Sequence, residues 1–449
     1  MDNLSIIIPV KRGDSAWMGL VTDLLSYTFQ FEILVVSEED LSINLSDPRI
    51  KYIHSKEGRA RQQNNGVLQS TKTFLWFLHA DSQISKNSFA TIASLFKKNP
   101  AAMFYFDLKF LSDGPQLMAI NSLGVKWRSQ ILKMPFGDQG FFMAKKTFFS
   151  MGAFDESAKY GEDHLLIWKA HQRNIPVLPC HDRLLTSARK YKKSGWLKTT
   201  SKHLYLTYKQ AAPEWIKLLK LKNKKRPTTA VAIFVKTPGV STVKSRLASS
   251  TGVEKAEEFF HLSLKATEEF VIEAMKKSHG EIEAFWAVAE TQTLQHPLWD
   301  FFQTIPQGTG DLGDRLFHVY SKLIKNHDRV FLIGADLPHL GFNTLLKAHQ
   351  TAMSHDQFII GETDDGGFYL FGGKKPIERT VWNSITYSSD QTSEELKTAL
   401  GKENFIFLDK NFDIDFVEDL KRLSDLKNDN LLPKQKKIVE WAKINTTRP

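Results

Sequence analysis

Residues with chemical capacity stand where apolar runs give way to polar loops. In the first half, the run Phe77-Leu-His-Ala-Asp-Ser82 carries Asp81 at its end. A carboxylate there can hold a divalent cation, which neutralises a nucleotide diphosphate and lets it depart. An Asp in that place can equally be a plain helix cap. Upstream, Arg59 and Arg61 lie in Glu57-Gly-Arg-Ala-Arg-Gln-Gln-Asn-Asn-Gly66, a glycine-bounded turn in which two guanidinium groups could grip phosphate oxygens. In the second half an apolar run leads into Lys236-Thr-Pro-Gly239 and then Lys244 and Arg246. A glycine-containing loop of this kind can cradle phosphates through main-chain donors and cationic side chains. It lacks the Walker spacing, so ordinary ATPase chemistry is not suggested. Acidic groups follow in order: Asp336 ending Val330-Phe-Leu-Ile-Gly-Ala-Asp336, then Asp364 and Asp365 before Gly366 and Gly367, then Asp413 and Asp415. Carboxylates placed beside strand ends suit a cation, Mg2+ or Mn2+, held against nucleotide phosphates.

Two similar sets of elements must position these groups. Each half opens on a β-branched apolar run, Ser5 to Pro9 and Ala230 to Val235, that reads as the first strand of its own α/β domain. Further strands are predicted at Glu32 to Val36 and Thr73 to Leu78, then at Ile282 to Val288, Arg329 to Ile333, Phe358 to Ile360, Tyr369 to Phe371 and Phe405 to Leu408. Helical pattern between strands implies largely parallel, doubly wound sheets, which bind ligands at the carboxyl ends of their strands. Val253 to Lys277 reads as a core helix, with Thr251 and Glu254 as a capping box. The polar, cationic stretch Leu221 to Thr229 reads as a linker, giving domains of 1–222 and 228–449.

A chain of 449 residues exceeds one ordinary core, and 42% hydrophobic with 24% charged residues is a globular balance. No run approaches the roughly 18 to 20 apolar residues of a membrane span, and Met1-Asp2-Asn3 opens no signal peptide, so a cytoplasmic protein is expected. Cys180 is the only cysteine, which excludes an intrachain disulfide and a thiolate zinc cluster. The net charge of +10 favours anionic partners. The tract Arg189 to Arg226 interleaves Lys and Arg with Tyr191, Trp196, Leu204, Tyr205, Tyr208, Trp215 and Leu219. It suits peripheral membrane contact or a nucleic-acid patch, but the favoured expectation is a helix packed on its own domain by its aromatic face, which leaves nucleic acid disfavoured.

The ordered set Gly58-Arg59-Ala60, His79-Ala80-Asp81, Gly137-Asp138-Gln139-Gly140 and Glu162-Asp163 resembles the family-two inverting glycosyltransferases, more closely a bacterial subgroup associated with arsenosugar biosynthesis. The resemblance covers about residues 3 to 220. It implies a GT-A fold with Asp81 and His79 at the metal and donor diphosphate, and Arg59, Arg61, Asn64 and Glu38 around the donor. Asp163, with Glu162 beside it, would deprotonate the acceptor hydroxyl, and Asp138 and Gln139 would bind that acceptor. The second half, about residues 229 to 425, adds Gly310-Asp311-Leu312-Gly313-Asp314-Arg315 to the motifs above. It resembles a second arsenosugar-associated glycosyltransferase family that is similar to phospholactate guanylyltransferases and other sugar nucleotidyltransferases. That likeness implies Lys244, Arg246, Gly239, Asp311, Gly366 and Gly367 at the nucleotide, Lys244 and Asp336 as catalytic groups, and Asp336, Asp365, Asp413 and Asp415 at the metal.

The fold class expected is therefore α/β, with two GT-A or Rossmann-like nucleotide-diphospho-sugar transferase domains in tandem. The function expected is bifunctional: the second half joins a nucleoside triphosphate to a sugar phosphate, and the first transfers the sugar to a small hydroxyl acceptor with inversion. Two glycosyltransferases using ready-made nucleotide-sugars, or one catalytic domain beside a binding domain, are the alternatives.

Overall fold

The computed structural model describes residues 3–41, 47–111, 113, 115, 118–187, 196–222 and 228–446. Tyr191 and most of the expected linker lie outside the described residues. The chain divides into two compact units, Met1–Arg226 and Pro227–Pro449.

The first unit is built on a seven-stranded sheet of β1 (Leu4–Val10), β2 (Glu32–Ser37), β3 (Ile50–His54), β4 (Phe74–Phe77), β5 (Met103–Phe110), β6 (Phe142–Ala144) and β7 (Val177–Thr186), in the order β3-β2-β1-β4-β6-β5-β7. The second has β8 (Thr229–Val235), β9 (Ile282–Val288), β10 (Gln303–Pro306), β11 (Arg329–Gly334), β12 (Phe358–Glu362), β13 (Phe368–Gly373) and β14 (Phe405–Phe407), in the order β10-β9-β8-β11-β13-β12-β14. Adding seven to each strand number of the first order yields the second. In both sheets the sixth strand alone runs antiparallel to its neighbours. For β13 the cause is local, because the short connection from Glu362 to Phe368 can only join antiparallel strands.

The continuous apolar runs behave as strands covered on both faces must. Every residue of β1 and β2 is buried, with Ile6, Ile8, Ile33 and Val35 in one cluster beneath Trp17, Leu20 and Val21. On the other face, the Arg59–Gln69 helix lies directly on β1. A Cβ added at Gly66 would stand 2.7 Å from Ile7 Cγ2, so only glycine allows that approach. In the second unit Ala230, Ala232, Leu332, Ile360 and Phe371 pack against Val319, Tyr320 and Trp382.

Two expectations fail locally. The Val253–Lys277 helix forms and buries Phe259, Leu264, Phe270 and Met275, but its cap is Gly252 at φ 88°, with no side-chain bond. Thr251 instead donates to Leu247 O at 2.9 Å, closing the preceding Ser245–Thr251 helix. The Trp196–Lys222 helix forms as well, yet Leu204, Tyr205, Tyr208 and Leu219 are exposed, and of the described aromatic residues expected to pack only Trp196 and one edge of half-exposed Trp215, against Trp168, touch the unit. No described helix is long and apolar enough to cross a membrane.

Candidate active sites

Four separate segments of the first unit converge on one point. Arg59 opens the helix after β3, His79 follows β4, Gly137 precedes β6, and Glu162 and Asp163 open the Glu162–Gln172 helix. Arg59 Nη2 meets His79 Nε2, and Arg59 Nε lies 3.2 Å from Glu162 Oε1 as an ion pair without hydrogen-bond alignment. Asp163 Oδ2 accepts from Gly137 N at 2.6 Å and Oδ1 from His164 N at 2.9 Å. A Cβ on Gly137 would stand 2.7 Å from Arg59 Nη2 and 2.9 Å from Asp163 Oδ2, so a bare backbone is needed there.

The charges set each other. Burial, reinforced by Arg59, drives His79 down to about 3, so the ring is neutral and Nε2 can accept from Arg59. Burial raises Glu162, Arg59 opposes it and Asp163 adds to it, leaving the group above its ordinary value. Burial also pushes Asp163 upward, but Arg59 and the two amides outweigh it and hold the carboxylate below its usual range. Asp138 is pushed up to about 6, by burial first, with Asp163 and Asp81 adding repulsion against the pull of Arg128 and Arg59. Its Oδ1 is buried without a hydrogen-bond partner among the described residues. That orphan oxygen is one of several buried polar atoms of this unit without a bond, and it lies close enough to Asp163 and Asp81 to feel their charge.

Several expected roles here are revised. His79 faces a guanidinium, not an open position, so it does not fit a metal ligand. Arg61 turns away from Arg59 and stands 3.7 Å from Glu156 Oε2, so the two do not form one phosphate grip. Asn64 is a buried strut: its Nδ2 donates to Phe154 O at 2.9 Å and Oδ1 accepts from Phe154 N at 3.1 Å. Gln139 is another, accepting from Ser129 Oγ at 2.8 Å and Phe136 N at 3.1 Å, and donating to Phe106 O at 3.0 Å. It thereby holds the turn that presents Gly137 and Asp138. Arg128 was missed: its guanidinium lies 3.4 Å from the Phe136 ring centre. Glu39, not Glu38, closes the loop after β1, accepting from Gly13 N at 3.1 Å and Arg12 Nε at 2.9 Å. The equivalent place after β9 holds Glu290, which accepts from Thr237 N at 2.9 Å.

In the second unit the loop after β8 delivers Lys244 at φ 50°, a left-handed backbone unusual for a side chain of this size. Its buried Nζ lies 2.6 Å from Asp336 Oδ1 and 3.2 Å from Asp415 Oδ1, and donates to Ile414 O at 2.6 Å. Burial lowers the ammonium, but Asp336 and Asp415 outweigh it and raise it above its ordinary value, so it stays charged. Arg246 pairs with the other oxygen, Asp415 Oδ2, at 2.8 Å. These groups line a cleft of about 570 Å³ with Lys236, Arg315 and Asp311, whose carboxylate caps the Leu312–Ile324 helix. Gly239 belongs to the loop at φ 77° with open space around it.

A second hollow of about 290 Å³ meets the first at Asp336 and is lined by Asp365, Asp413, Thr363, Tyr369, Tyr387 and Leu337 among others. The four acids expected at one metal border this joined space: Asp336 and Asp415 converge on the Lys244 ammonium, and Asp336 also lines the second hollow with Asp365 and Asp413, whose carboxyl is pushed up to about 6 by burial and then by Asp365 and Asp415. Asp365 is also engaged locally, accepting from Thr363 Oγ1 at 2.5 Å and Gly367 N at 3.1 Å. Gly366 and Gly367 shape that turn. Among the described residues no three His, Cys, Asp or Glu are grouped as a metal site. Two convergent carboxylates still fit magnesium, which takes its other ligands from water and substrate phosphates.

Both units thus share the GT-A arrangement, two parallel-dominant sheets in tandem α/β domains. Residues 5–157 match the glycosyl transferase family 2 model, and residues 271–389 match the family described as uncharacterized protein conserved in bacteria (DUF2064). The chain carries a glycosyl transferase family 2 domain followed by a DUF2064 domain. No curated protein matches it. A putative nucleotide-diphospho-sugar transferase from Desulfovibrio desulfuricans G20 is 22% identical, over 49% of this chain and 97% of that one, with a TM-score of 0.43. S. aureus TarS 1-349 is 18% identical over 41% of this chain and 60% of its own, and its complex with UDP-GlcNAc 20% identical over 41% and 58%, both with a TM-score of 0.33.

Proposed function

We propose that the chain is a bifunctional nucleotide-sugar enzyme whose second unit makes what the first consumes. The observation that carries this reading is the Lys244 ammonium held between Asp336 and Asp415 in the wall of a cleft that also presents Arg246, Lys236 and Arg315. Cations interleaved with paired carboxylates in one cleft suit a nucleoside triphosphate with its divalent ion. The sugar phosphate enters the neighbouring hollow, and one of its phosphate oxygens attacks the α-phosphorus. The bond to the β-phosphate breaks, and pyrophosphate leaves with the electron pair. Lys244 and Arg246 neutralise the developing charge. Asp336 and Asp415 would hold magnesium or manganese, which supplies further charge neutralisation when bound.

In the first unit Asp163, more accessible than Glu162, takes the proton of the acceptor hydroxyl. The oxygen attacks the anomeric carbon, the bond to the nucleoside diphosphate breaks, and the diphosphate leaves with the electron pair, inverting the centre. Glu162 holds Arg59, and Asp138 offers its orphan oxygen to the acceptor. Asp81, four residues beyond β4, takes the donor diphosphate in this reading. The association with arsenosugar chemistry and the likeness to guanylyltransferases are supported by motif order alone.

A second reading is favoured by one observation: the two sheets share one strand order, so both units could transfer sugar from ready-made nucleotide-sugars. The full chain, incubated with each nucleoside triphosphate, magnesium and a panel of sugar 1-phosphates, decides. Pyrophosphate release lost in Asp336→Asn supports the first reading. No release, with nucleotide-sugars consumed by both units, supports the second.

A further inference from the structure

The Trp196–Lys222 helix turns several polar side chains toward its own unit: Thr200 accepts from Asn121 Nδ2 at 3.4 Å, Glu214 accepts from Gln172 Nε2 at 2.8 Å, and Gln210 meets His164 Nδ1 at 2.8 Å. Leu206 and Leu218 are half-buried beside them, and one edge of Trp215 meets buried Trp168 at 6.0 Å between ring centres. Most of its large apolar side chains nevertheless face outward. Tyr208 is 73% exposed and Leu197 72%, and Leu204, Tyr205, Ile216 and Leu219 are exposed with them. At about 100° per residue, Leu197, Leu204, Tyr208, Trp215 and Leu219 fall within about 60° of one another, one continuous stripe. The Met118–Gln130 helix touches this one, Trp196 Nε1 donating to its Asn121 Oδ1 at 3.0 Å, and it too exposes large apolar residues, Leu123 and Trp127.

The charge around the stripe has one sign. Lys198, Lys202, Lys209 and Lys217 belong to the first helix and Lys126 to the second. The only acid of the two helices is Glu214, turned inward to Gln172. Exposed aliphatic and aromatic residues flanked by cations are the composition of an element that lies in the headgroup region of an anionic membrane. Polynucleotide would answer the lysines and aromatics but leave Leu197, Leu204, Ile216 and Leu219 in water.

We propose that this face docks the protein on the surface of an anionic lipid bilayer. The helix lies on the surface, and its inner side reaches the first active site: Gln210 also donates to Tyr160 O at 2.9 Å, three residues before Asp163. On the transfer reading proposed above, the acceptor hydroxyl is then presented at that surface. Docking does not depend on which reaction either unit performs.

The test is co-sedimentation of the full chain with vesicles of phosphatidylcholine alone or mixed with an equal part of phosphatidylglycerol. Binding is expected to the mixed vesicles only, weakening as salt rises. It should fall roughly tenfold or more in Leu204→Ser with Tyr208→Ser, and likewise in Lys198→Glu with Lys209→Glu. All four residues are outside the active sites, so melting temperature and soluble turnover should stay unchanged; Tyr205→Ser alone serves if a pair fails to fold. No binding to mixed vesicles, binding equal in all variants, preference for single-stranded RNA over vesicles, or a dimer that the serine pair dissolves without any vesicle binding would each overturn the proposal.

Discussion

At the scale of single residues, Asp138 carries an unusual burden. Its folded value of about 6 lies above the ordinary 3.8, so the native protein binds that proton more tightly than the unfolded chain does. Stability is therefore lost as pH rises from about 4 to 6 and stays lost above that. Asp138→Asn is expected to raise the melting temperature at pH 7, by about 1–3 kcal/mol of stability, and to leave it unchanged at pH 3. If the orphan oxygen binds the acceptor, the same variant raises KM for it. Lys244 predicts the opposite kind of effect. Lys244→Met removes the cation shared by Asp336 and Asp415 and should lower turnover of the second unit by roughly 10²-fold or more. Turnover by the first unit, measured with supplied nucleotide-sugar, should not change.

At the scale of elements, Glu32 ties β1, β2 and β3 together at their starts. It accepts from Ser5 Oγ at 2.6 Å, Lys51 Nζ at 2.7 Å and Thr71 N at 2.6 Å. Burial pushes it up, but these bonds outweigh burial and hold it below its ordinary value. Its contribution is therefore present above about pH 4.5 and lost as pH falls through the lower folded value. Glu32→Gln should cost about 1–3 kcal/mol at pH 7 in chemical denaturation, with the loss vanishing in acid; the half-exposed Lys51 sets the lower end. Gly137→Ala should lower the melting temperature and cut transfer by the first unit, since its Cβ displaces Arg59 and Asp163. Local pattern put Asp81, Asp163, Lys244 and Asp336 beside strand ends or helix starts, and the fold has them there, because such boundaries are written in a few neighbouring residues. It could not reveal that Asn64 and Gln139 are struts, since their partners Phe154 and Phe106 are 90 and 33 residues away. The same limit hid short β6 and the choice of Glu39 over Glu38, which rests on a bond to Gly13. Outward exposure of Tyr205 and Tyr208 escaped pattern reading because amphipathicity says which side chains share a face, not which way the face turns.

At the scale of the whole molecule, residues 1–226 and 227–449 each close their own sheet, and each is expected to melt cooperatively when produced alone. Differential scanning calorimetry of the two pieces checks this; failure of either piece to show a transition would mean that it relies on the rest of the chain. The shared strand order has a consequence for how the chain reaches this state. Two blueprints with the same strand sequence offer each other nearly equivalent partners, so a chain collapsing all at once can lodge β1 beside β9 instead of β2. During synthesis that exchange is closed off, because the first sheet can complete itself before β8 leaves the ribosome. The order of emergence does the sorting that geometry alone does not, and recovery from denaturant should be poorer for the joined chain than for its two halves mixed at the same concentration.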